Sequence, residues 1–165
     1  MHFKSVAIIG RYQDSGLDAP LRALATTLQQ VGCQVLVEAD TARFSGITEL
    51  PTLSYEEIGT QADLAVIMGG DGTMIGAARK LANYDVPLIG INHGRLGFIT
   101  DIPLNNANEA LLSVIAGNYQ AEERSLLEGR IVRDGQILHS GIALNDIVIN
   151  RAGRGGLIEL RVELD

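Results

Sequence analysis

Six consecutive residues, Met68-Gly69-Gly70-Asp71-Gly72-Thr73, are the best placed in the chain to do chemistry. The glycines around one carboxylate leave the backbone bare, so a ligand can approach the peptide units closely. An apolar run, Leu64-Ala65-Val66-Ile67, precedes them, and a helix-compatible run from Met74 to Leu81 follows. The arrangement reads as strand, turn and helix start. The first N–H groups of such a helix have no partner within it and sit at the positive end of its dipole, which suits phosphate. Asp71 works against that, because a carboxylate repels phosphate unless it takes a proton or sits beside a metal. One reading has Asp71 accept a proton from an attacking hydroxyl, or hold Mg²⁺ beside phosphates, as phosphoryl transfer uses carboxylates. The plainer reading makes it the N-cap of the next helix, a task Thr73 can also perform. No Gly-Lys-Ser/Thr follows, and Gly70, Gly72 and Gly76 do not give the spacing of a dinucleotide fingerprint.

A second glycine-spaced loop, Asn92-His93-Gly94-Arg95-Leu96-Gly97-Phe98, follows another apolar run, Pro87 to Ile91. Ligands of doubly wound sheets bind at the carboxyl ends of the strands, so both loops are expected on one rim. Asn145-Asp146 interrupts an apolar stretch, Ile142-Ala143-Leu144 before it and Ile147-Val148-Ile149 after it. Buried without partners, such a pair is costly; it reads as a turn, or as two side chains facing a cleft. His93, a lone histidine with no metal partners in the pattern, reads as a loop residue, and His2 and His139 carry no signal. Arg151 and Arg154, among glycines, read as a solvated hairpin tip.

The elements that must position these groups follow from periodicity. Ser5 to Ile9 is a continuous apolar run ending at Gly10, as in a strand buried on both faces. Leu21, Leu24, Ala25, Leu28 and Val31 recur at helical spacing after Pro20, and Gly32 ends that helix. Gln34–Glu38 is a second strand, completing a βαβ unit. Residues 39–60 read as a variable connection with a short helical piece near Tyr55–Ile58. Then come strand 64–68, helix 73–81, strand 87–91, the second loop, and a helix over roughly 105–116 closed by Gly117. The alternation predicts an α/β fold, a doubly wound and mostly parallel sheet. Beyond Tyr119 helical spacing disappears. Asp134-Gly135 between apolar runs predicts a hairpin over 126–139, and 143–149 and 157–164 read as further strands. The boundary is placed near 118–124, giving an α/β domain over 1–120 and the first antiparallel strands of an incomplete β-sandwich-like domain over 121–165. A sheet that stops on a strand leaves an open apolar edge, so the chain reads as cut short.

Composition narrows the class. The 165 residues are 46% apolar with 19 glycines, and the net charge is −7. The pI is about 4.9 and the 13 Lys and Arg are scattered, which argues against a nucleic-acid binder. The single cysteine, Cys33, suits a reducing compartment, and a cytoplasmic location is expected. No apolar run approaches the ~20 residues that span a bilayer, so no membrane partner is expected.

Three segments in order resemble bacterial NAD kinase: Gly69-Gly70-Asp71-Gly72-Thr73, then Gly90-Ile91-Asn92-His93-Gly94-Arg95-Leu96-Gly97-Phe98, then Leu144-Asn145-Asp146. The first is similar to a motif shared with lipid and sugar-phosphate kinases. The Leu-Gly-Phe ending of the second is particular to NAD kinases. The resemblance implies transfer of a phosphoryl group to the 2′-hydroxyl of the adenosine ribose of NAD, making NADP. The donor would be ATP or inorganic polyphosphate, with a divalent metal (Mg²⁺). It implies Asp71 as proton acceptor, Gly72 as the bare backbone beside NAD, Ile75 and Phe98 at the adenine pocket, and Asn145 and Asp146 as the NAD-contacting pair. It also implies a homo-oligomer, dimer or tetramer.

The family's T-P-T-G-S-T-A-Y segment is not among the 165 residues. The chain on its own is therefore expected to be weak or inert. Two alternatives stay open: another kinase with the same glycine turn, acting on a lipid or a sugar phosphate, and a non-catalytic NAD-binding module.

Overall fold

The computed structural model describes residues 2–10, 16–94, 97–100, 102–150 and 159–163. The chain divides into two compact units, Met1–Arg124 and Ser125–Asp165.

The first unit is built on a six-stranded sheet with every pairing parallel, its strands lying side by side in the order β3 (Thr52–Leu53), β2 (Gln34–Glu38), β1 (Ser5–Gly10), β4 (Leu64–Gly69), β5 (Leu88–Asn92), β6 (Ile102–Pro103). β1 (Ser5–Gly10) and β4 (Leu64–Gly69) lie at its centre, and all their residues are buried. Burial on both faces explains why they read as unbroken apolar runs rather than alternating ones. Val6 and Ile8 face one side, with Leu21, Leu24 and Leu28 of α1 (Asp18–Gln30) and Leu111 and Ile115 of α5 (Ala107–Ile115). Ala7 and Ile9 face the other, with Ile58 of α3 (Tyr55–Gln61) and Met74, Ala77 and Leu81 of α4 (Asp71–Leu81). Each fully buried Ile or Leu contributes roughly 1.5–3 kcal/mol of burial free energy.

From β1 the chain runs outward to β2 (Gln34–Glu38) and β3 (Thr52–Leu53), then returns to β4 beside β1. The strand order therefore reverses between β1 and β4, where open α/β sheets hold their ligands. β5 (Leu88–Asn92) and β6 (Ile102–Pro103) complete the sheet.

Four elements were not expected from the sequence. α2 (Ala39–Ser45) starts on Glu38, whose side chain accepts from the N–H groups of Asp40 and Thr41. It ends on Gly46 at φ 65°, a left-handed cap. β3 and β6 are two residues each, too short for any periodicity. The last helix opens with a 3-10 turn, Leu104–Asn106.

The second unit holds a hairpin, β7 (Leu127–Arg133) against β8 (Gln136–Ala143), antiparallel. Asp134 and Gly135 take φ of 52° and 76°, the pair of positive values that an Asp-Gly turn supplies. A bulge between Ile131 and Val132 shifts the register. The further strands expected here are corrected. Residues 144–150 and 159–163 form no strand, because a strand needs a neighbour for its backbone groups and no described residue pairs with them. Residues 157, 158 and 164 lie outside the described residues.

Candidate active site

The two glycine loops meet. Gly69 pairs with Asn92 at the ends of β4 and β5, and the N–H of His93 donates to the carbonyl of Gly69 at 3.3 Å. Both loops lie on the carboxyl-end rim.

Asp71 is the first residue of α4, yet it does not cap that helix. Gly70 holds the N-cap position, and no side-chain cap bond forms. The carboxylate turns to the second loop instead. The N–H of Phe98 donates to Oδ2 at 2.9 Å. The N–H groups of Ile99 and Thr100 donate to Oδ1 at 3.1 Å each, and the Thr100 hydroxyl joins them at 3.1 Å. These donors favour the charged form, the Phe98 and Ile99 N–H groups most, and hold the carboxyl below the ordinary aspartate range. The plainer capping reading of Asp71 is thereby replaced by a cross-link between loops.

The glycines make this possible. A Cβ on Gly97 would stand 2.2 Å from Asp71 Oδ1, and one on Gly69 would stand 2.5 Å from Thr73 Oγ1. Nothing lies within 4 Å of a Cβ placed on Gly70, Gly72 or Gly76, so their bare faces look into open space. A cavity of about 580 Å³ occupies it, lined by Gly10, Tyr55, Gly70, Gly72, Thr73, Gly76, Ala77 and Lys80. Lys80 Nζ lies 4.1 Å from the centroid of the Tyr55 ring, a cation–π contact. The cavity sits where β1 and β4 end side by side.

Of the residues singled out from the sequence, Asp71, Gly72, Ile75 and Phe98 all belong to the first unit. Ile75 is half-buried one turn along α4, and Phe98 is 98% exposed, an unusual state for a large aromatic side chain. Asn145 and Asp146 are exposed residues after β8 in the second unit. Arg95, Leu96, Arg151 and Arg154 lie outside the described residues.

Three residues were given no role in the sequence reading, though Asn92 opens its second loop. Thr100 and Asn92 are 0% and 4% exposed, and Asn92 Nδ2 donates to Thr100 Oγ1 at 3.1 Å. Glu38, also buried, accepts the Thr41 hydroxyl at 2.8 Å, and Thr41 Oγ1 accepts the N–H of Gly10 at 2.9 Å. In dinucleotide folds the acidic residue ending the second strand takes a ribose hydroxyl; here that carboxylate is consumed as the cap of α2 and, through Thr41, as the anchor of Gly10 at the end of β1. A lone acid closing an apolar strand was the available signal.

Among the described residues, no three His, Cys, Asp or Glu side chains converge to hold a metal. Asp71 presents oxygens already facing four donor hydrogens, which is a poor environment for a resident cation.

Fold and site together define a doubly wound α/β protein with a glycine-lined cavity at the switch point of the sheet. The comparisons make this particular. A family model, the ATP-NAD kinase N-terminal domain, matches residues 6–119, and the chain belongs to that family. It is 64% identical over 165 residues to the NAD kinase of Bordetella avium (strain 197N), covering 100% of this chain and 55% of the relative. It is 51% identical over 163 residues to the NAD kinase of Paraburkholderia phymatum, covering 99% and 54%. The chain thus spans about half the length of the curated relatives it matches. The fold also resembles the crystal structure of yeast NADH kinase complexed with NADH, with a TM-score of 0.73 at 20% identity, over 88% of this chain and 48% of that one.

Proposed function

We propose that this chain is the nucleotide-facing part of an NAD kinase, which moves a phosphoryl group from ATP or polyphosphate to the 2′-hydroxyl of the adenosine ribose of NAD. The observation that carries the reading is Asp71, half-buried on the rim at the Gly-Gly-Asp-Gly turn and cross-linked to the Gly97–Thr100 loop, in a chain of the ATP-NAD kinase family.

Asp71 takes the hydroxyl proton. Gly72 keeps the backbone clear of the dinucleotide, and Phe98 and Ile75 flank the adenine. Asn145 and Asp146, in the β-rich part from 121 onward, contact NAD, while the α/β part over 1–120 supplies the catalytic turn. The bare glycine faces lining the cavity receive the donor's phosphates. A divalent metal, Mg²⁺ in this reading, arrives with those phosphates, as this ion usually does. The working protein is a cytoplasmic homo-oligomer.

The test is an NADP-formation assay on two proteins: the 165-residue chain, and a form extended to the length of the relatives. Turnover is expected in the extended form and little in the short chain. NAD binding that survives Asp71→Asn, with no transfer in either form, marks a non-catalytic NAD-binding module instead. Transfer to a lipid or sugar phosphate with indifference to NAD marks a different kinase.

A further inference from the structure

The carboxylate at the centre of the site is held unevenly. Asp71 Oδ1 faces three donors, the N–H groups of Ile99 and Thr100 and the hydroxyl of Thr100. Asp71 Oδ2 faces one, the N–H of Phe98. The two oxygens of an ionised carboxylate share about four lone-pair sites. Oδ1 is therefore fully subscribed, and Oδ2 retains an acceptor position.

The Thr100 hydroxyl has one proton to give. Asn92 Nδ2 donates to Thr100 Oγ1 at 3.1 Å and to the Thr100 carbonyl at 3.3 Å. With its acceptor side occupied, the hydroxyl turns its proton to Oδ1. Close packing fixes the pair: a Cβ on Gly90 would lie 2.8 Å from Thr100 Cγ2 and 3.1 Å from its Cα. Asn92 ends β5 and Asp71 begins α4, so the relay runs from the sheet through one buried threonine to the rim.

We propose that Thr100, oriented by Asn92, is a positioning residue for phosphoryl transfer, committing Asp71 Oδ1 to the protein and leaving Oδ2 as the oxygen that takes the substrate's proton. The inference rests on the reading of Asp71 as proton acceptor. In the step it serves, the ribose O–H bond breaks and its proton bonds to Oδ2. The hydroxyl oxygen's electron pair forms the new P–O bond. The bond from that phosphorus to the bridging oxygen of a nucleoside triphosphate breaks, and the pair leaves on the nucleoside diphosphate. Clamping one oxygen fixes the plane of the carboxylate, so the other does not have to be oriented at the moment of reaction.

The test compares Thr100→Val and Thr100→Ser in the form extended to the relatives' length. Thr100→Val removes the hydroxyl at nearly constant volume. Its kcat is expected to fall about 10-fold or more, with KM for NAD within about twofold, since the lost interaction acts on the transition state. Thr100→Ser keeps the hydroxyl and is expected to recover most of kcat. Asn92→Ala, which frees the hydroxyl to rotate, is expected to lower kcat in the same direction. A second measurement needs no turnover: the carboxyl ¹³C resonance of Asp71 in the 165-residue chain at fixed neutral pH. It should move in Thr100→Val and return in Thr100→Ser. An active wild type whose Thr100→Val variant keeps kcat, a serine variant as impaired as valine, or an unmoved resonance overturns the proposal. A resonance that moves and returns, in a protein whose extended form makes no NADP, supports the anchor and overturns the kinase reading on its own.

Discussion

Gly97 and Asp71 are fitted to each other: the space a side chain at 97 would need is filled by the Asp71 carboxylate, with Oδ1 2.2 Å from where a Cβ would stand. The carboxylate cannot retreat without giving up its bonds to Phe98, Ile99 and Thr100. The same Cβ would stand 2.8 Å from Thr100 Oγ1, so the effect of an alanine at 97 falls on the contact between Asp71 and Thr100. Gly97→Ala is expected to lower the rate of NADP formation about 10²-fold, the scale of an ångström of misplacement. Circular dichroism of the 165-residue chain should stay unchanged. A variant with normal turnover would show that the contact has no bearing on the chemistry.

Asp71→Asn tests the carboxylate itself. The amide keeps the shape but removes the charge and the basicity. Turnover in the extended form should drop at least ~10²-fold, the contribution of a general base. NAD binding, followed by calorimetry, should persist. Wild-type-like turnover would remove Asp71 from the mechanism.

Acid should loosen the start of the sheet. Asp63 accepts from the N–H groups of Lys4 at 2.8 Å and Ser5 at 3.0 Å, and these bonds, the Lys4 one foremost, hold its carboxyl below the usual range. A folded-state pKa lower than the unfolded one gives stability that is present above the unfolded value, about 3.9 for aspartate. That stability disappears as pH falls through the folded value. Wild type and Asp63→Asn should therefore differ in urea midpoint at pH 7 and converge below about pH 4. A gap that stays constant across that range would refute the assignment.

Glu38 is a stability residue. Its carboxylate satisfies the N–H groups of Asp40 and Thr41 and the Thr41 hydroxyl, within a buried setting. Glu38→Ala strands these donors and removes a helix cap, at a cost of about 1–3 kcal/mol. Chemical denaturation measures it; a loss under about 0.5 kcal/mol, the range of ordinary surface changes, would contradict the buried network.

Phe98 should separate binding from folding. With 98% exposure it packs on almost nothing, so Phe98→Ala should leave the urea midpoint of the 165-residue chain unchanged. If the ring stacks on adenine, KM for NAD in the extended form should rise about 10-fold, within the worth of one base–aromatic stack. An unchanged KM would place the adenine elsewhere.

Much of this was legible from residue order. The buried strands announced themselves as unbroken apolar runs, α1 by its spacing and Gly32, and the hairpin by Asp134-Gly135. Asp71 stood out because glycines surround it, and Phe98 only through the resemblance of its loop to the NAD kinase segment. α2 was not legible, because its cap is a glutamate that the strand pattern had already claimed. Thr100 and Asn92 were hidden for a different reason: they act on a residue that the chain brings close only when β4 and β5 pair. No local pattern encodes that meeting. The expectation of more strands after Ala143 followed the apolar pattern of the residues alone, whereas a strand also needs a neighbour.

The parallel centre of the first unit also sets an order of assembly. β1 is flanked by β2 and β4, and the bond from Ser5 to Asp63 spans 58 residues. As the chain leaves the ribosome, β1, α1 and β2 can form a local unit, but the other edge of β1 stays open until β4 emerges. Over that interval Val6-Ala7-Ile8-Ile9 is a flat apolar edge, the kind of segment that recruits strands from other chains. Non-local parallel pairing is also slow to form. Until Met68 has emerged, β1 keeps one apolar edge unpaired, so the glycine turn that ends β4 also marks the stretch whose emergence first lets the sheet close.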